Sequence, residues 1–278
     1  MRNLVLSFVL ISFLSISAFA QKLTLKWKSD TLLRVPESVL FDATRNKLYV
    51  ANIDGGPWEK DGKGSIGVLS TDGKIEKVEW VTGLDAPKGM GLHKNNLYVA
   101  DVSRVVVIDV TSGKITNKIE IEGTKNLNDV TVSKGGQVFI SDSGTGKVYT
   151  INKDKGELYF ESPELKGTNG VLAIPDGLYL VDFANGQNWK LSKDKKLTKV
   201  CITAEQADGV VPVGSGDYLV SSWGGKIFYV SAKGESTKLL DTTAEKISSA
   251  DIEYDQKTKT LYVPTFFKNG VMAYTFEK

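Results

Sequence analysis

The 278-residue chain contains one cysteine and one histidine. A lone cysteine excludes an internal disulfide, and a lone histidine excludes every site that needs two imidazoles, such as the paired-histidine zinc site of many metalloproteases. Cys201 lies in the apolar string Val200–Ile202, which indicates a structural thiol rather than a nucleophile. His93 stands beside a predicted turn, so we expect it at the surface.

The chain also has little net charge, with 35 basic residues against 33 acidic ones and a formal charge of +2. The basic residues are scattered singly among acidic ones, which is typical of a solvated surface. Proteins that bind nucleic acid concentrate basic residues on one face, and this sequence does not. We therefore expect no nucleic-acid partner.

Long apolar runs are absent after residue 20. Before it, Arg2 precedes the nearly apolar run Leu4–Phe19, and Ala18–Ala20 has the small-x-small pattern of a signal peptidase site. We interpret residues 1–20 as a signal peptide cut before Gln21; the alternative is an uncleaved anchor, for which the run is short. We expect an exported domain over residues 21–278, with no membrane insertion after cleavage. The periplasm is the first choice and secretion the second.

One sequence phrase recurs six times and decides the fold. It consists of a short apolar strand, a turn rich in Gly, Asn or Lys, and a second strand of aromatic and aliphatic residues. The six phrases begin at Pro36, Pro87, Leu127, Thr168, Ala207 and Ser249. The first two phrases are 51 residues apart and the later ones 39 to 42 residues apart, which is the size of a four-stranded propeller blade. The pattern predicts an all-β, six-bladed β-propeller.

A propeller must close, because an open edge strand invites aggregation. Leu23–Trp27 alternates in polarity ahead of the first phrase, and Gly270–Phe276 follows the last one. We therefore predict that the N-terminal strand completes the final blade.

The second residue of each phrase is expected at the mouth of the central channel. We call these six positions the ring residues: Glu37, Lys88, Asn128, Asn169, Asp208 and Ala250. Polar groups buried at such a point are costly unless something satisfies them. Four of the six carry side-chain oxygens, which suit one divalent cation, calcium first and then magnesium, manganese or zinc.

The phrases resemble the SMP-30/gluconolactonase family and, more loosely, other six-bladed NHL-like propellers. The resemblance extends over nearly all of residues 21–278 and rests on four motifs, Pro36–Val39, Leu127–Asp129, Thr168–Val171 and Ala207–Val210. It implies that Glu37, Asn169 and Asp208 hold one divalent metal. It also implies that Asn128 borders the substrate and helps to bind either the substrate or the metal. It further implies hydrolysis of a small, sugar-derived lactone or a similar ester.

The residue types fit that chemistry, with two departures from the family pattern. A metal would polarise the carbonyl and activate water, and Asp208 would act as the catalytic base. Lys88 departs by placing a cation in the ring. It either neutralises the acids in a metal-free ion-pair network or binds an anionic group of the substrate. Ala250 departs by offering no ligand.

The loop Asp54–Gly64 is the longest on the predicted ring face, and its Trp58 is expected to close over a ligand. We assign Trp58 and Trp223 to substrate binding, because aromatic side chains around a polar centre suit a sugar-like or flat apolar ligand. Further aromatic residues are expected in the corresponding loops, namely Phe183, Trp189, Phe266 and Phe267. Packing between blades is the alternative role for each of them.

Two other functions compete with hydrolysis. One is a non-catalytic exported propeller that binds a ligand, a polysaccharide or a protein through the aromatic rim. The other is a propeller lyase, which ranks lower because we expect such an enzyme to need more histidine than His93 alone. Asp101, Asp142 and Asp182 end second strands and are expected to brace turns rather than to do chemistry.

Overall fold

The computed structural model describes residues 21–278, so the predicted signal peptide lies outside the described residues. Six four-stranded antiparallel sheets form the blades of a ring, which confirms the six-bladed β-propeller. Within this range the one helical element is a 3₁₀ turn, Phe266–Lys268, and no helix is long and apolar enough to cross a membrane.

In each of the first five blades, strand order follows chain order from the channel outward. Blade 1 contains β2 (Pro36–Asp42), β3 (Lys47–Asn52), β4 (Gly64–Ser70) and β5 (Ile75–Leu84); blade 2 contains β6 (Pro87–His93), β7 (Asn96–Asp101), β8 (Arg104–Asp109) and β9 (Lys114–Glu120); blade 3 contains β10 (Leu127–Val132), β11 (Val138–Asp142), β12 (Lys147–Asn152) and β13 (Lys155–Phe160). Blade 4 contains β14 (Thr168–Ile174), β15 (Gly177–Asp182), β16 (Gln187–Ser192) and β17 (Leu197–Ile202); blade 5 contains β18 (Ala207–Gly214), β19 (Asp217–Ser222), β20 (Lys226–Val230) and β21 (Ser236–Asp241).

Blade 6 combines the two ends of the described chain. It contains β22 (Glu253–Asp255), β23 (Thr260–Pro264), β24 (Val271–Glu277) and, outermost, β1 (Lys22–Lys28). β1 pairs antiparallel with β24 from Lys22 opposite Glu277 to Lys28 opposite Met272. The predicted closure by the N-terminal strand is therefore confirmed.

The apolar core lies between blades rather than at the channel. One cluster joins Leu40 and Tyr49 of blade 1 to Leu97 and Val99 of blade 2, all of them buried. Burying one such side chain contributes about 1.5–3 kcal/mol to stability. Because these side chains alternate along the strands, each sheet presents apolar surface to both neighbouring blades.

The last inner strand is shorter than its phrase predicts. The phrase covers Ser249–Tyr254, yet β22 begins only at Glu253. Asp251 instead forms a parallel bridge with Ser38 of blade 1, and its backbone N–H donates to the carbonyl of Glu37 at 3.0 Å. This bridge ties the last blade to the first, directly beside the ring residues.

The three aspartates that end second strands brace turns, as predicted. Asp101 accepts the backbone N–H groups of Asp85 and Ala86, each at 2.9 Å. Asp142 and Asp182 accept backbone N–H groups in the same way, from the segments that lead into their own inner strands. Each carboxylate thus fixes the chain just before it enters the channel.

Trp27 contributes to closure of the ring, because it joins β1 to blade 1 and to β23 of blade 6. Its indole N–H donates to the carbonyl of Thr71 in blade 1 at 3.1 Å, and its ring lies 5.9 Å from that of Tyr262. Trp27→Ala should lower the free energy of unfolding by about 3 kcal/mol, measured by urea denaturation. The matched control Leu25→Ala, an exposed position on β1, should cost less than about 0.5 kcal/mol. Equal losses would show that Trp27 does not hold the closure.

Candidate active site at the channel mouth

The ring residues come together at one end of the channel. Five of them stand at the second position of their inner strands, and neighbouring inner strands contact each other around the ring. The polar ring side chains are only 2–6% exposed. Lys88 lies close enough to Glu37 and Asp208 for their charges to affect its ionisation, and Asn169 influences that of Asp208.

Three buried oxygens in this ring have no hydrogen-bond partner among the described residues. They are Oε2 of Glu37, Oδ1 of Asn169 and Oδ1 of Asp208. A buried polar atom without a partner is uncommon in folded proteins and calls for a bound species or a functional role. The three residues are the same three that the sequence analysis assigned to a metal.

Burial governs the ionisation of the ring. It raises the pKa of Glu37 to about 7, an effect that Lys88 opposes and Asp129 reinforces. Burial also raises the pKa of Asp208 well above its usual range, and the nearby carboxylates of Glu37 and Asp129 raise it further. It lowers the pKa of Lys88 to about 8, which Glu37, Asp101 and Asp208 counteract. The ring acids therefore need a nearby positive charge to stay ionised at neutral pH.

The ring's donor set fits a divalent cation. Glu37, Asn169 and Asp208 offer only oxygen atoms, and each has one oxygen free of protein hydrogen bonds. Among residues 21–278, no three acidic, histidine or cysteine side chains converge as ligands. Any cation held here would thus depend on the amide oxygen of Asn169 as well as on the two carboxylates.

Two further channel carboxylates were missed as site residues by the sequence analysis. Asp129 and Asp251 directly follow ring residues, where the other four phrases have only glycine or serine. This difference at the third position of the phrases was the sequence signal that could have identified the two aspartates. Asp129 accepts the N–H of Val171 in the next blade at 2.8 Å, and Asp251 accepts the hydroxyl of Ser38 at 2.7 Å. Both join neighbouring inner strands beneath the ring.

A glycine makes room for each of these carboxylates. A Cβ on Gly89 would lie 2.3 Å from Oδ1 of Asp129, and a Cβ on Gly209 would lie 2.4 Å from Oδ1 of Asp251. These distances are too short for any real contact. The glycines of the second and fifth phrases are therefore required for the inner strands to pack this closely.

The loop between β3 and β4 folds over the ring, and its Trp58 meets Lys88. The Lys88 ammonium donates to the carbonyl of Pro57 at 2.6 Å and lies 4.4 Å from the centre of the Trp58 ring. Trp58 is half-buried. Asn128 is also at the ring, where its side-chain N–H donates to the hydroxyl of Ser143 at 3.3 Å.

Trp223 belongs to an aromatic cluster on the same face. Its ring meets Phe266 and Phe267 edge to face, at 5.3 and 6.0 Å. Phe266 and Ala250 belong to one buried apolar cluster, so the sixth ring position is apolar where it lacks a ligand. Phe267 is 67% exposed. Trp189 does not belong to this rim: it is buried in β16, where it packs between blades, so its predicted loop position was wrong.

The lone cysteine and histidine stand apart from the ring. Cys201 is half-buried in β17, and burial raises its pKa, which disfavours the reactive thiolate. His93 ends β6 at a hairpin, opposite Asn96 and five residues after the ring residue Lys88. Neither residue joins the ring, in line with the sequence analysis.

Among the described residues that line the cavity at the far end of the channel, Glu253 is the one acid. It lines a cavity of about 270 Å³ together with residues of the first three inner strands, among them Phe41 and Thr131. Burial raises the pKa of Glu253 to about 7, although backbone N–H groups of Tyr254 and Phe41 oppose the shift.

A propeller with a buried ring of oxygen donors at its channel mouth defines a class of protein, and comparison with known sequences defines the family. The chain belongs to the SMP-30/Gluconolactonase/LRE-like region family, which it matches over residues 35–267. This confirms the resemblance seen in the sequence. None of the curated proteins searched matches the sequence.

Solved structures of the same fold share little sequence with this chain. A protein described as a candidate gluconolactonase is 14% identical, with 92% of this chain and 94% of that one covered and a TM-score of 0.68. Virginiamycin B lyase from Staphylococcus aureus, in a catalytically inactive form with quinupristin, is 15% identical, with coverages of 92% and 99% and a TM-score of 0.66. A protein of unknown function from Bacteroides thetaiotaomicron is 15% identical, with coverages of 93% and 76% and a TM-score of 0.66. At these identities the likeness shows the fold alone.

Glu253, the half-buried acid at the far end of the channel, generates a testable pH dependence. A raised pKa means that the folded protein favours protonated Glu253, so this stabilisation is complete below pH 4.5 and is lost as pH rises through about 7. Glu253→Gln should remove part of the loss of stability between pH 5 and pH 8, on the order of 2 kcal/mol in urea denaturation. Exposed Glu164→Gln is the control and should leave the pH profile unchanged. An unaltered profile in Glu253→Gln would contradict the prediction.

Proposed function

We propose that this protein is an exported, metal-dependent hydrolase that opens a small, sugar-derived lactone or a similar ester at the channel mouth. One observation carries the proposal. The three residues that family resemblance assigns to a metal each bury an oxygen that no described residue satisfies. Membership of the SMP-30/gluconolactonase family supports the reaction class.

Glu37, Asn169 and Asp208 would hold the cation, calcium first and magnesium, manganese or zinc as alternatives. When bound, such a cation polarises a carbonyl oxygen and lowers the pKa of water. Buried carboxylates in a site from which water is excluded interact strongly with such a charge, which offsets the cost of ionising them there.

The chain's own residues supply the remaining roles. Asp208 accepts the proton of the attacking water, and the same proton then passes to the alkoxide released when the ring C–O bond breaks. Asn128 keeps its side-chain oxygen available for a substrate hydroxyl, because its N–H is engaged by Ser143. Trp58 and Trp223 form the apolar walls against which a sugar-like ring packs.

Export is part of the proposal and rests on residues 1–20. The basic residue, the apolar run and the Ala18–Ala20 motif together favour cleavage before Gln21. Intact-mass analysis of protein recovered from the periplasm of an expressing bacterium should give a chain that begins at Gln21. A full-length chain in the membrane fraction would instead identify an anchor.

A second candidate function is a non-catalytic propeller that binds its ligand through the aromatic rim. The near-complete burial of the ring favours it, because a closed ring with Lys88 inside it can serve as a purely structural plug. In that case the ring acids contribute only to stability, and ligand binding depends on Trp223 and its exposed neighbour Phe267.

Elemental analysis of the purified mature protein separates the two functions. The hydrolase should contain about one divalent ion per chain, and Glu37→Gln and Asp208→Asn should each lose it. Both variants should also lose lactone hydrolysis by at least about 100-fold, because the ion and the base act together. Glu253→Gln, at a half-buried channel acid outside the ring, is the matched control and should keep both. A protein without a stoichiometric ion, with unchanged behaviour in Asp208→Asn, would support the binding module.

A further inference from the structure

Lys88 is the one basic side chain at the ring within the described residues, and it is 2% exposed. Lysine is rarely buried to this extent without a paired charge. Its ammonium nevertheless donates to two backbone carbonyls, Pro57 at 2.6 Å and Ala86 at 3.4 Å. Glu37 and Asp208 act on it through their charges rather than through direct hydrogen bonds.

The Pro57 carbonyl belongs to the segment 54–63, which we call the mouth loop. Its two ends are fixed away from the ring: Arg34 forms an ion pair with Asp54 at 2.7 Å, and the N–H of Gly62 donates to Asp85 at 3.2 Å. The tip, Pro57 and Trp58, rests on Lys88. Lys88 is therefore the contact through which the ring holds the tip of the loop.

A divalent cation held by Glu37 and Asp208 would share the channel mouth with the Lys88 ammonium, which those carboxylates favour through their charges while it donates to backbone carbonyls. Both are positive, and like charges within one site shielded from water repel strongly. A cation at Glu37 and Asp208 would remove the attraction that keeps the ammonium beneath the loop tip. The ammonium would then move outward and release the Pro57 carbonyl and the Trp58 ring.

We propose that Lys88 is a positioning residue that couples cation binding at the ring to opening of the mouth loop. The inference rests on the proposed metal site and concerns how Lys88 regulates cation binding there. The ammonium acts as a resident counter-charge that keeps the ring closed, and the divalent cation displaces it. Substrate then reaches the ring only in the cation-loaded protein, and Lys88 itself sets the cation concentration at which this happens.

Calorimetric titration with calcium chloride tests the competition, with Lys88→Met as the variant that removes the charge but keeps the side-chain length. Lys88→Met should bind calcium about tenfold more tightly than the native protein, because the competing charge is gone. Lys63→Met is the matched control: this lysine lies on the same loop, pairs with Asp61 and is far more exposed. It should bind calcium as the native protein does.

Hydrogen–deuterium exchange of peptides from residues 54–63 tests the coupling. In the native protein, calcium should speed exchange in the mouth loop, whereas in Lys88→Met exchange should be fast with and without calcium. Trp58→Ala provides a second variant that leaves the ring charges unchanged. It should loosen the loop without changing calcium affinity by more than about twofold.

The outcomes separate this inference from the proposed function. Native protein that binds calcium, together with a Lys88→Met variant that binds no more tightly, would overturn the competition and leave the metal site standing. Calcium binding without faster exchange in the native mouth loop would overturn the coupling. Binding by Lys88→Met alone would support Lys88 as the competitor while contradicting a metal-dependent native enzyme. An absence of binding in both proteins would overturn both proposals.

Discussion

Five of the six inner strands around the channel place a polar side chain at their second position, in a space that excludes most water. Glu37, Asn169 and Asp208 are almost fully buried there, and each has an oxygen that no described residue satisfies. An ionised carboxylate is unfavourable in this buried environment, and the raised pKa values of Glu37 and Asp208 reflect that cost. Several features of the site offset this cost: the Lys88 ammonium lies nearby, backbone N–H groups lie beneath the ring, and the cation that we propose would satisfy the remaining oxygens.

The blades are built to keep this arrangement rigid. Apolar side chains are buried between neighbouring blades, so the sheets cannot shift without exposing core. Where the ring closes, the bridge between Asp251 and Ser38 lies one residue from the ring residues. β1 forms the outermost strand of blade 6. A rigid ring holds its oxygens in place ahead of ligand binding, which is the arrangement a catalytic site requires.

The two departures from the family pattern, Ala250 and Lys88, both shape the mouth of the channel. Ala250 supplies no ligand, and Phe266 and Trp223 occupy the space beside it, so one side of the ring mouth is apolar. Lys88 supplies a charge and holds the mouth loop with it. Together they give a site that is bounded on one side by aromatic packing and on another by the mouth loop, whose tip rests on the Lys88 ammonium.

The sequence by itself determined the architecture, the blade boundaries and the identity of the ring, because all of these follow from a repeat whose period and polarity are local properties. It also indicated the roles of Asp101, Asp142 and Asp182, since side-chain-to-backbone turns are local as well. The tertiary structure alone decided the depth of burial, the bonds of Asp129 and Asp251 to other blades, and the buried position of Trp189. It also decided that the Lys88 ammonium contacts Pro57 rather than a carboxylate. These depend on the distance between residues about 30 to 210 positions apart, which is fixed only when the ring closes.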